Sequence, residues 1–210
     1  MIKAVIFDMD GVLIDAKEWH YEALNKALLK FGYEISRHDH LVTFDGLPTR
    51  TKLEMLSQQD GLPGKLHGFI NSLKQKYTMQ IVNEKCVPNF VHRFALSKLR
   101  AEGYKMAVAS NSIRNSIASM MEFADLQEYL EFYMSNEDVV NGKPDPEIYI
   151  KTIDKLGFLP EECLIVEDNF NGIKAARASG AHVLEVQTVD DVNYLNIRNK
   201  IKQIEGEAEV

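Results

Sequence analysis

The chain has 210 residues, of which 45% are hydrophobic and 26% charged, a composition ordinary for a globular protein. Its net charge of −7 argues against a nucleic-acid-binding surface, which usually needs a basic patch. The two cysteines, Cys86 and Cys163, are not spaced like metal ligands, so we expect reduced thiols. No signal peptide or membrane span is visible, which predicts a cytoplasmic protein that acts without a membrane.

The first predicted element is a short apolar strand, Ala4–Phe7, of the kind that lies buried in a parallel sheet. It ends in two carboxylates, Asp8 and Asp10, followed by Gly11. In open α/β sheets, functional groups gather at the carboxyl ends of strands. Two acids there are costly unless a cation, a proton or a reaction needs them, so we predict that this segment carries chemistry.

The next stretch, residues 15–84, is too long for a single crossover helix. Helical patterns cover Glu18–Phe31 and an apolar stripe from Leu66 to Ile81, separated by turn residues at Gly46, Pro48, Gly61, Pro63 and Gly64. We predict an inserted α-helical cap domain over residues 15–84, with residues 1–14 and 85–210 forming the catalytic core. The alternative is a set of extra helices packed on the edge of the sheet.

The remainder of the chain alternates helices and strands. The predicted strands are Lys105–Ala109, Phe132–Ser135, Cys163–Val166 and His182–Val186, and the helices are Phe90–Glu102, Ile113–Phe123, Pro146–Leu156 and Phe170–Ser179. This rhythm predicts an α/β fold, with a Rossmann-like parallel sheet core and helices on both faces. The tail from Gln203 to Val210 has few apolar anchors and is expected to fray.

Polar residues follow four of the predicted strands: Asp8 and Asp10, then Ser110 and Asn111, then Lys143, then Glu167 and Asp168. Because parallel strands bring their carboxyl ends to one edge of a sheet, we expect these residues to share one crevice. Each has a plainer alternative. Glu167 and Asp168 could cap the following helix, Ser110 could be a helix N-cap, and Lys143 could be a solvated loop lysine.

In this order, the four segments resemble the four motifs of the haloacid dehalogenase superfamily. The motifs are Asp8-Met-Asp10-Gly-Val-Leu, Ser110-Asn111, Lys143-Pro-Asp-Pro and Glu167-Asp168-Asn169. The resemblance covers essentially the whole chain. The insertion point after the first motif is similar to the subgroup with a helical cap, which includes β-phosphoglucomutase and many sugar-phosphate phosphatases.

The resemblance implies phosphoryl transfer. Asp8 would be the nucleophile that forms an aspartyl-phosphate, and Asp10 would be the general acid–base residue. Lys143 would hold Asp8 and the phosphoryl oxygens. Related dehalogenases lack the second aspartate, and phosphonate-cleaving members replace it with a small residue, so the presence of Asp10 favours phosphate esters.

A divalent cation is implied as well, because an anion attacking another anion needs countercharge. Mg²⁺ takes carboxylates, waters and phosphate oxygens. Its expected ligands are Asp8, Asp168 and the main-chain carbonyl of Asp10, with Glu167 acting through water. The hydroxyl of Ser110 and the main-chain N–H groups of Asn111 and Ser112, entering the next helix, are expected to bind the phosphoryl group.

Two residues of the cap are further candidates for substrate binding, His20 and Arg50. The resemblance places cap residues at similar points, with Lys74 or Lys76 as a matching lysine. The plainer alternatives are a helix-surface or interdomain histidine and a solvated arginine at a helix start. Ala16 stands where the mutase pattern has a threonine, which argues against mutase activity without affecting the hydrolytic core.

We therefore predict a Mg²⁺-dependent phosphatase of a small phosphorylated metabolite, of the sugar-phosphate class. One alternative is a β-phosphoglucomutase-like isomerase, and another is an inactive binding or regulatory module on the same fold. The expected partner is the small phosphorylated metabolite alone, with no nucleic acid or membrane, and the expected assembly is a monomer or a small homo-oligomer.

Overall fold

A computed structural model of the chain describes residues 1–44 and 47–206. The predicted turn residue Gly46 and residues 207–210 of the predicted tail lie outside the described residues. The strands of the sheet are β1 (Ala4–Phe7), β2 (Lys105–Ala109), β3 (Phe132–Met134), β4 (Cys163–Glu167) and β5 (His182–Glu185). All pairings are parallel, in the order β3-β2-β1-β4-β5, which confirms the predicted α/β fold.

The helices within the described ranges are α1 (Lys17–Leu28), α2 (Arg37–Val42), α3 (Thr49–Asp60), α4 (His67–Lys85), α5 (Phe90–Ala101), α6 (Arg114–Phe123), α7 (Glu147–Leu156), α8 (Phe170–Ala178) and α9 (Tyr194–Glu205). In the part of the chain that the structure covers, none of them combines the length and the apolar character that a membrane crossing requires.

The chain divides into two compact units, residues 1–15 with 87–210, here called the core unit, and residues 16–86, here called the helical unit. The sequence placed the corresponding boundaries at residues 14 and 85.

The core unit is built around β1, whose four residues are fully buried between β2 and β4. Parallel strands flanked on both sides and covered by helices read as continuous apolar runs, which is why Ala4–Phe7 lacks polar alternation. The register pairs Phe7 with Val108 on one side and with Val166 on the other. The residues that follow these strands therefore leave the sheet at the same edge.

The helical unit packs α1 against α4 around an apolar cluster that includes Leu24, Leu28, Leu53 and Ile70. A pair of reciprocal side-chain hydrogen bonds, here called the clamp, joins α1 to the segment before α2. The buried Asn25 amide donates to the Ile35 carbonyl at 2.8 Å, and its oxygen accepts from the Ile35 N–H at 2.9 Å. Both helices expected here from the pattern are present, as α1 and α4.

Three helices were not predicted, α2, α3 and α9. α2 is six residues long and buries only His40, and α3 buries only Leu53 and Leu56, so neither shows a full apolar stripe. The prediction of a frayed tail is wrong for residues 203–205, because α9 continues to Glu205, whose carboxylate accepts from the Ile2 N–H at 2.7 Å.

Both cysteines are free thiols and are buried, as expected.

Candidate active site

Asp8 and Asp10 are held by the turn that follows β1. The Asp8 N–H donates to the Val166 carbonyl at 3.0 Å, which extends the pairing with β4 by one residue. The N–H groups of Leu13 and Ile14 then fold back onto the Met9 carbonyl, and Gly11 donates to Ile14 at 2.7 Å. Gly11 has φ +89°, a left-handed conformation that glycine adopts without strain, which explains the glycine after the two acids.

Lys143 lies at the centre of the site. Its ammonium donates to Asp8 Oδ1 at 2.5 Å, to Glu167 Oε1 at 2.7 Å and to the Ala109 carbonyl at 2.9 Å. A lysine ammonium has three N–H donors, so all three are used within the protein. Because the residue is only 5% exposed, it is not a solvated loop lysine. The loop after β3 therefore delivers a buried cation to the ends of β1, β2 and β4.

Burial and neighbouring charges both shift the pKa values of this cluster. Burial raises the pKa of Asp8 well above its ordinary range, the Lys143 charge lowers it, and the Glu167, Asp10 and Asp168 charges raise it again. Burial would lower the pKa of Lys143, but the charges and hydrogen bonds of Asp8 and Glu167 outweigh this and raise it. Three carboxylates and one lysine therefore act on Asp8, an excess of negative charge that favours an additional cation.

Glu167 is the most confined carboxylate of the site. Oε1 accepts from Lys143 Nζ and from the Tyr149 hydroxyl, the latter at 2.5 Å. Oε2 accepts from the N–H groups of Asp168, at 3.1 Å, and Asn169, at 3.4 Å. A Cβ on Gly172 would lie 1.9 Å from Oε1, so this glycine in α8 makes room for the carboxylate. Each oxygen of Glu167 is thus engaged by two donors of the protein.

The alternative in which Glu167 and Asp168 cap the following helix is not what the structure shows. The N-cap of α8 is Asn169, whose side chain accepts from the Asn171 N–H. Tyr149 was missed in the sequence, because a tyrosine on the apolar face of a predicted helix carries no signal of a role at the site. Burial and the charges of Glu167 and Asp8 raise the pKa of Tyr149 well above 10, so it remains a hydroxyl donor.

The segment after β2 differs from its expected geometry. α6 begins at Arg114 with Ile113 at its N-cap, so Asn111 and Ser112 precede the helix. The Ser112 N–H donates to Ser110 Oγ at 3.1 Å, and its role as an anion donor remains a prediction. Ser110 is buried and accepts this bond, so it is not the N-cap of α6.

Asn111 and Ser112 have side-chain partners that the sequence did not indicate. Asn111 Oδ1 accepts from the Lys143 N–H at 3.0 Å, and its amide donates to the Lys143 carbonyl at 3.4 Å. The Asn111 side chain therefore holds the backbone of the loop that carries Lys143. The Ser112 hydroxyl donates to Asp10 Oδ2 at 3.0 Å, which orients the second aspartate of the first motif.

The donor set fits a hard divalent cation. Oxygens of Asp8, Glu167 and Asp168 all lie within 4.8 Å of one another. Because both Glu167 oxygens are engaged by protein donors, Asp8 and Asp168 are the carboxylates best suited to hold a metal. Mg²⁺ prefers oxygen ligands and is usually bound through one or two carboxylates, which agrees with this set.

The predicted substrate residues of the cap lie in the helical unit. His20 on α1 has Nδ1 3.2 Å from Lys74 Nζ, and since an ammonium only donates, this nitrogen is the acceptor. Lys74 is buried and Lys76 is exposed, so Lys74 is the lysine that joins His20. Arg50, in the first turn of α3, has a side chain 89% exposed and pairs with Glu54 at 2.8 Å.

Comparison with known proteins gives a consistent result. Residues 5–186 match the family described as haloacid dehalogenase-like hydrolases. A phosphorylated carbohydrates phosphatase of Thermotoga maritima is 29% identical over 181 residues, covering 85% of this chain and 82% of the relative. A phosphoglycolate phosphatase of Aquifex aeolicus is 28% identical over 181 residues, with the same coverage of 85% and 82%. The crystal structure of β-phosphoglucomutase from Clostridium difficile superposes with a TM-score of 0.85 at 21% identity, covering 99% of this chain and all of that one, a likeness of fold.

Proposed function

The chain belongs to the haloacid dehalogenase-like hydrolases, and from that premise we propose that it is a Mg²⁺-dependent phosphatase that hydrolyses a small sugar phosphate through an aspartyl-phosphate. The observation that carries this proposal is the buried ion pair of Asp8 with Lys143, at 2.5 Å, beside the carboxylate of Asp168. The structure brings two carboxylates and a buried ammonium together at one edge of the sheet, which supports the proposed roles of nucleophile, fixed cation and metal ligand. Relatives named as phosphatases support the same reaction class.

The first half of the reaction follows from the positions of these groups. A carboxylate oxygen of Asp8 attacks phosphorus, and the bond between phosphorus and the leaving oxygen breaks. Asp10, oriented by Ser112, gives its proton to that oxygen, and the Lys143 ammonium offsets the negative charge around Asp8. Mg²⁺ bound by Asp8 and Asp168 would supply further positive charge against the repulsion between carboxylate and phosphate.

Hydrolysis of the aspartyl-phosphate completes the cycle. Asp10, now ionised, takes a proton from a water molecule while the oxygen of that water attacks phosphorus. The bond between phosphorus and the Asp8 oxygen breaks, inorganic phosphate leaves, and both aspartates return to their starting states. The Ser110 hydroxyl and the Asn111 main-chain N–H are proposed to donate to the phosphoryl oxygens.

The sugar-phosphate class is the finer part of the proposal. It is supported by the relative named as a phosphatase of phosphorylated carbohydrates. Ala16, which has no hydroxyl where the mutase pattern has a threonine, favours hydrolysis over a mutase reaction. His20 and Arg50 are proposed to bind the substrate. Alanine at either position should raise KM for the sugar phosphate, whereas Arg37→Ala, which alters another exposed arginine of the helical unit, should not.

The decisive experiment measures turnover of p-nitrophenyl phosphate with and without Mg²⁺. Wild-type protein should release p-nitrophenol with Mg²⁺ and stop reversibly in EDTA. Asp8→Asn should abolish turnover, while Asp154→Asn, which changes an exposed carboxylate of the same unit, should leave it intact. Turnover that survives Asp8→Asn would refute the nucleophile, and full activity in metal-free buffer would refute the metal.

A panel of sugar phosphates then separates the remaining alternatives. Release of inorganic phosphate is the expected result. A rearranged sugar phosphate without phosphate release would identify an isomerase, and no turnover of any phosphate ester would identify a binding module.

A further inference from the structure

Tyr149 contacts two charged groups of the site from a fully buried position on α7. Its hydroxyl donates to Glu167 Oε1 at 2.5 Å, and the centre of its ring lies 4.7 Å from Lys143 Nζ. The ring of Tyr149 thus contacts the Lys143 ammonium, and its hydroxyl contacts the Glu167 carboxylate, which is bonded to that ammonium. No step of the proposed reaction uses this residue.

We propose that Tyr149 is a positioning residue, which limits the pull of Glu167 on the Lys143 ammonium and so keeps that ammonium on Asp8. The inference rests on the proposed function, because its consequence for catalysis requires Asp8 to be the nucleophile. The argument depends on how the hydrogen bonds of Glu167 and Lys143 are shared.

Glu167 Oε1 accepts hydrogen bonds from two donors. The ammonium approaches it at 2.7 Å and the Tyr149 hydroxyl at 2.5 Å. A carboxylate oxygen has about two lone-pair sites, so the hydroxyl occupies one that would otherwise strengthen the bond with the lysine. Hydrogen bonds to ionised groups are roughly twice as strong as neutral ones, so this competition changes the balance of forces on Lys143.

Other contacts of Glu167 hold it in this arrangement. Its other oxygen accepts from the N–H groups of Asp168 and Asn169, and the carboxylate lies against Gly172, in the space that a Cβ would fill. If the Tyr149 hydroxyl is removed, Glu167 stays in place and its Oε1 forms a stronger hydrogen bond with the Lys143 ammonium. Lys143 must then shift toward Glu167, away from Asp8 Oδ1.

The ring makes a second, separable contribution. A cation within about 6 Å of an aromatic centre is attracted by the face of the ring, and the effect grows when both groups are desolvated. Phenylalanine keeps this contact and loses only the hydroxyl, whereas leucine loses both. The two substitutions therefore separate the hydrogen bond from the ring.

The test compares Tyr149→Phe and Tyr149→Leu with the control Thr152→Val. Thr152 is fully buried on the same helix, and its hydroxyl donates to the Ile148 carbonyl at 2.7 Å, so valine removes a buried hydroxyl away from the site. For each protein, kcat and KM for p-nitrophenyl phosphate are measured at saturating Mg²⁺. The resonance of the Lys143 ammonium is recorded by ¹H–¹⁵N NMR on metal-free protein.

Tyr149→Phe should lower kcat about tenfold with KM changed by less than about twofold, because the hydroxyl acts on Lys143 and touches no substrate. Tyr149→Leu should lower kcat further, and Thr152→Val should leave both constants at the wild-type values. The ammonium resonance should move in Tyr149→Phe and not in Thr152→Val.

A wild-type kcat and an unmoved ammonium resonance in Tyr149→Phe would overturn the inference. A misfolded leucine variant would not affect this decision, because the phenylalanine variant carries it. If the wild-type protein turns over no phosphate ester, the proposed function fails, and the NMR comparison still decides whether Tyr149 holds Lys143.

Discussion

The buried site of the core unit and the surface ion pairs of the helical unit hold their charges in opposite ways. In the core unit, Lys143 joins Asp8 and Glu167 with side chains only 5%, 11% and 1% exposed. In the helical unit, the ion pairs Arg37–Glu18, Arg50–Glu54 and Lys85–Glu22 have side chains about half exposed or more. A buried charge left without its partner costs about 3–5 kcal/mol, whereas an exposed pair contributes about 0–1 kcal/mol. The charges of the buried site must therefore be paired, and those of the surface pairs need not be.

The largest contrast is expected when the same substitution is made in both units. Asp10→Asn should lower kcat about 10²–10⁴-fold, because the general acid–base group is lost while the hydrogen bond from Ser112 is retained. Asp60→Asn changes an exposed carboxylate at the end of α3 and should alter kcat by less than about twofold. Steady-state kinetics with p-nitrophenyl phosphate measure both, and a loss below tenfold in Asp10→Asn would assign the proton to another residue.

The free energy of unfolding that is lost when one lysine is removed should also differ between the two units. Lys143→Met removes one partner of a buried network and should lower the free energy of unfolding by about 3–5 kcal/mol at neutral pH. Lys85→Met removes one partner of an exposed pair and should cost less than about 1 kcal/mol. Urea titration in EDTA measures both, because bound metal would compensate the carboxylates. Equal losses in the two variants would contradict the comparison.

The sequence predicted the core unit better than the helical unit, for physical reasons. β1, β2 and β4 are short, mostly buried apolar runs, and the polar residues that follow four of the predicted strands could be assigned to one edge of the sheet. The short helices α2 and α3 have too few buried positions to show a period, so packing against α1 and α4 decides them. Local pattern is therefore sufficient where burial is continuous along an element, and insufficient where it is partial.

Within the site, the sequence indicated which residues meet but not what each side chain contacts. The partners of Glu167 include Tyr149, 18 positions away, and the amide of Asn111 holds the backbone of Lys143, 32 positions away. Neither contact leaves a trace in local spacing, because both depend on how α7 and the loop after β3 pack on the sheet.

The contact between Asn25 and Ile35 in the helical unit is buried and carries no charge. Asn25→Ala removes both hydrogen bonds to Ile35 and leaves its N–H and carbonyl without their side-chain partner, which should cost about 2–3 kcal/mol. Asn71→Ala, at an exposed position of α4, should cost less than about 0.5 kcal/mol. Thermal or urea unfolding measures both, and kcat per folded molecule should be unchanged in each. A cost below 1 kcal/mol for Asn25→Ala would show that the clamp is dispensable.

The Glu147 carboxylate, at the surface of the core unit, lies between the buried site and the exposed pairs in the size of the effect expected. Hydrogen bonds from Lys151 and from the N–H groups of Asn141 and Val140 lower the pKa of Glu147 to about 2. Because the folded pKa lies below the unfolded value of 4.5, the stabilising contribution is complete above that value and is lost as the pH falls toward 2. Carboxyl NMR titration should find this pKa, and Lys151→Gln should raise it toward 4.5. An ordinary pKa of Glu147 in the wild-type protein would show that its hydrogen bonds to the loop before Lys143 are not formed.

The smallest expected effect is the coupling between Arg37 and Glu18, whose side chains are 64% and 47% exposed. A double-mutant cycle with alanine at both positions should give about 0.2–1 kcal/mol. This coupling should vanish in 1 M salt, where the screening length is about 3 Å, while the buried pair of Lys143 and Asp8 is screened much less. Salt dependence therefore tests the comparison more directly than magnitude does. If the Arg37–Glu18 coupling persisted in 1 M salt, that pair would behave like a buried one, and exposure would not be what distinguishes the charges of the two units.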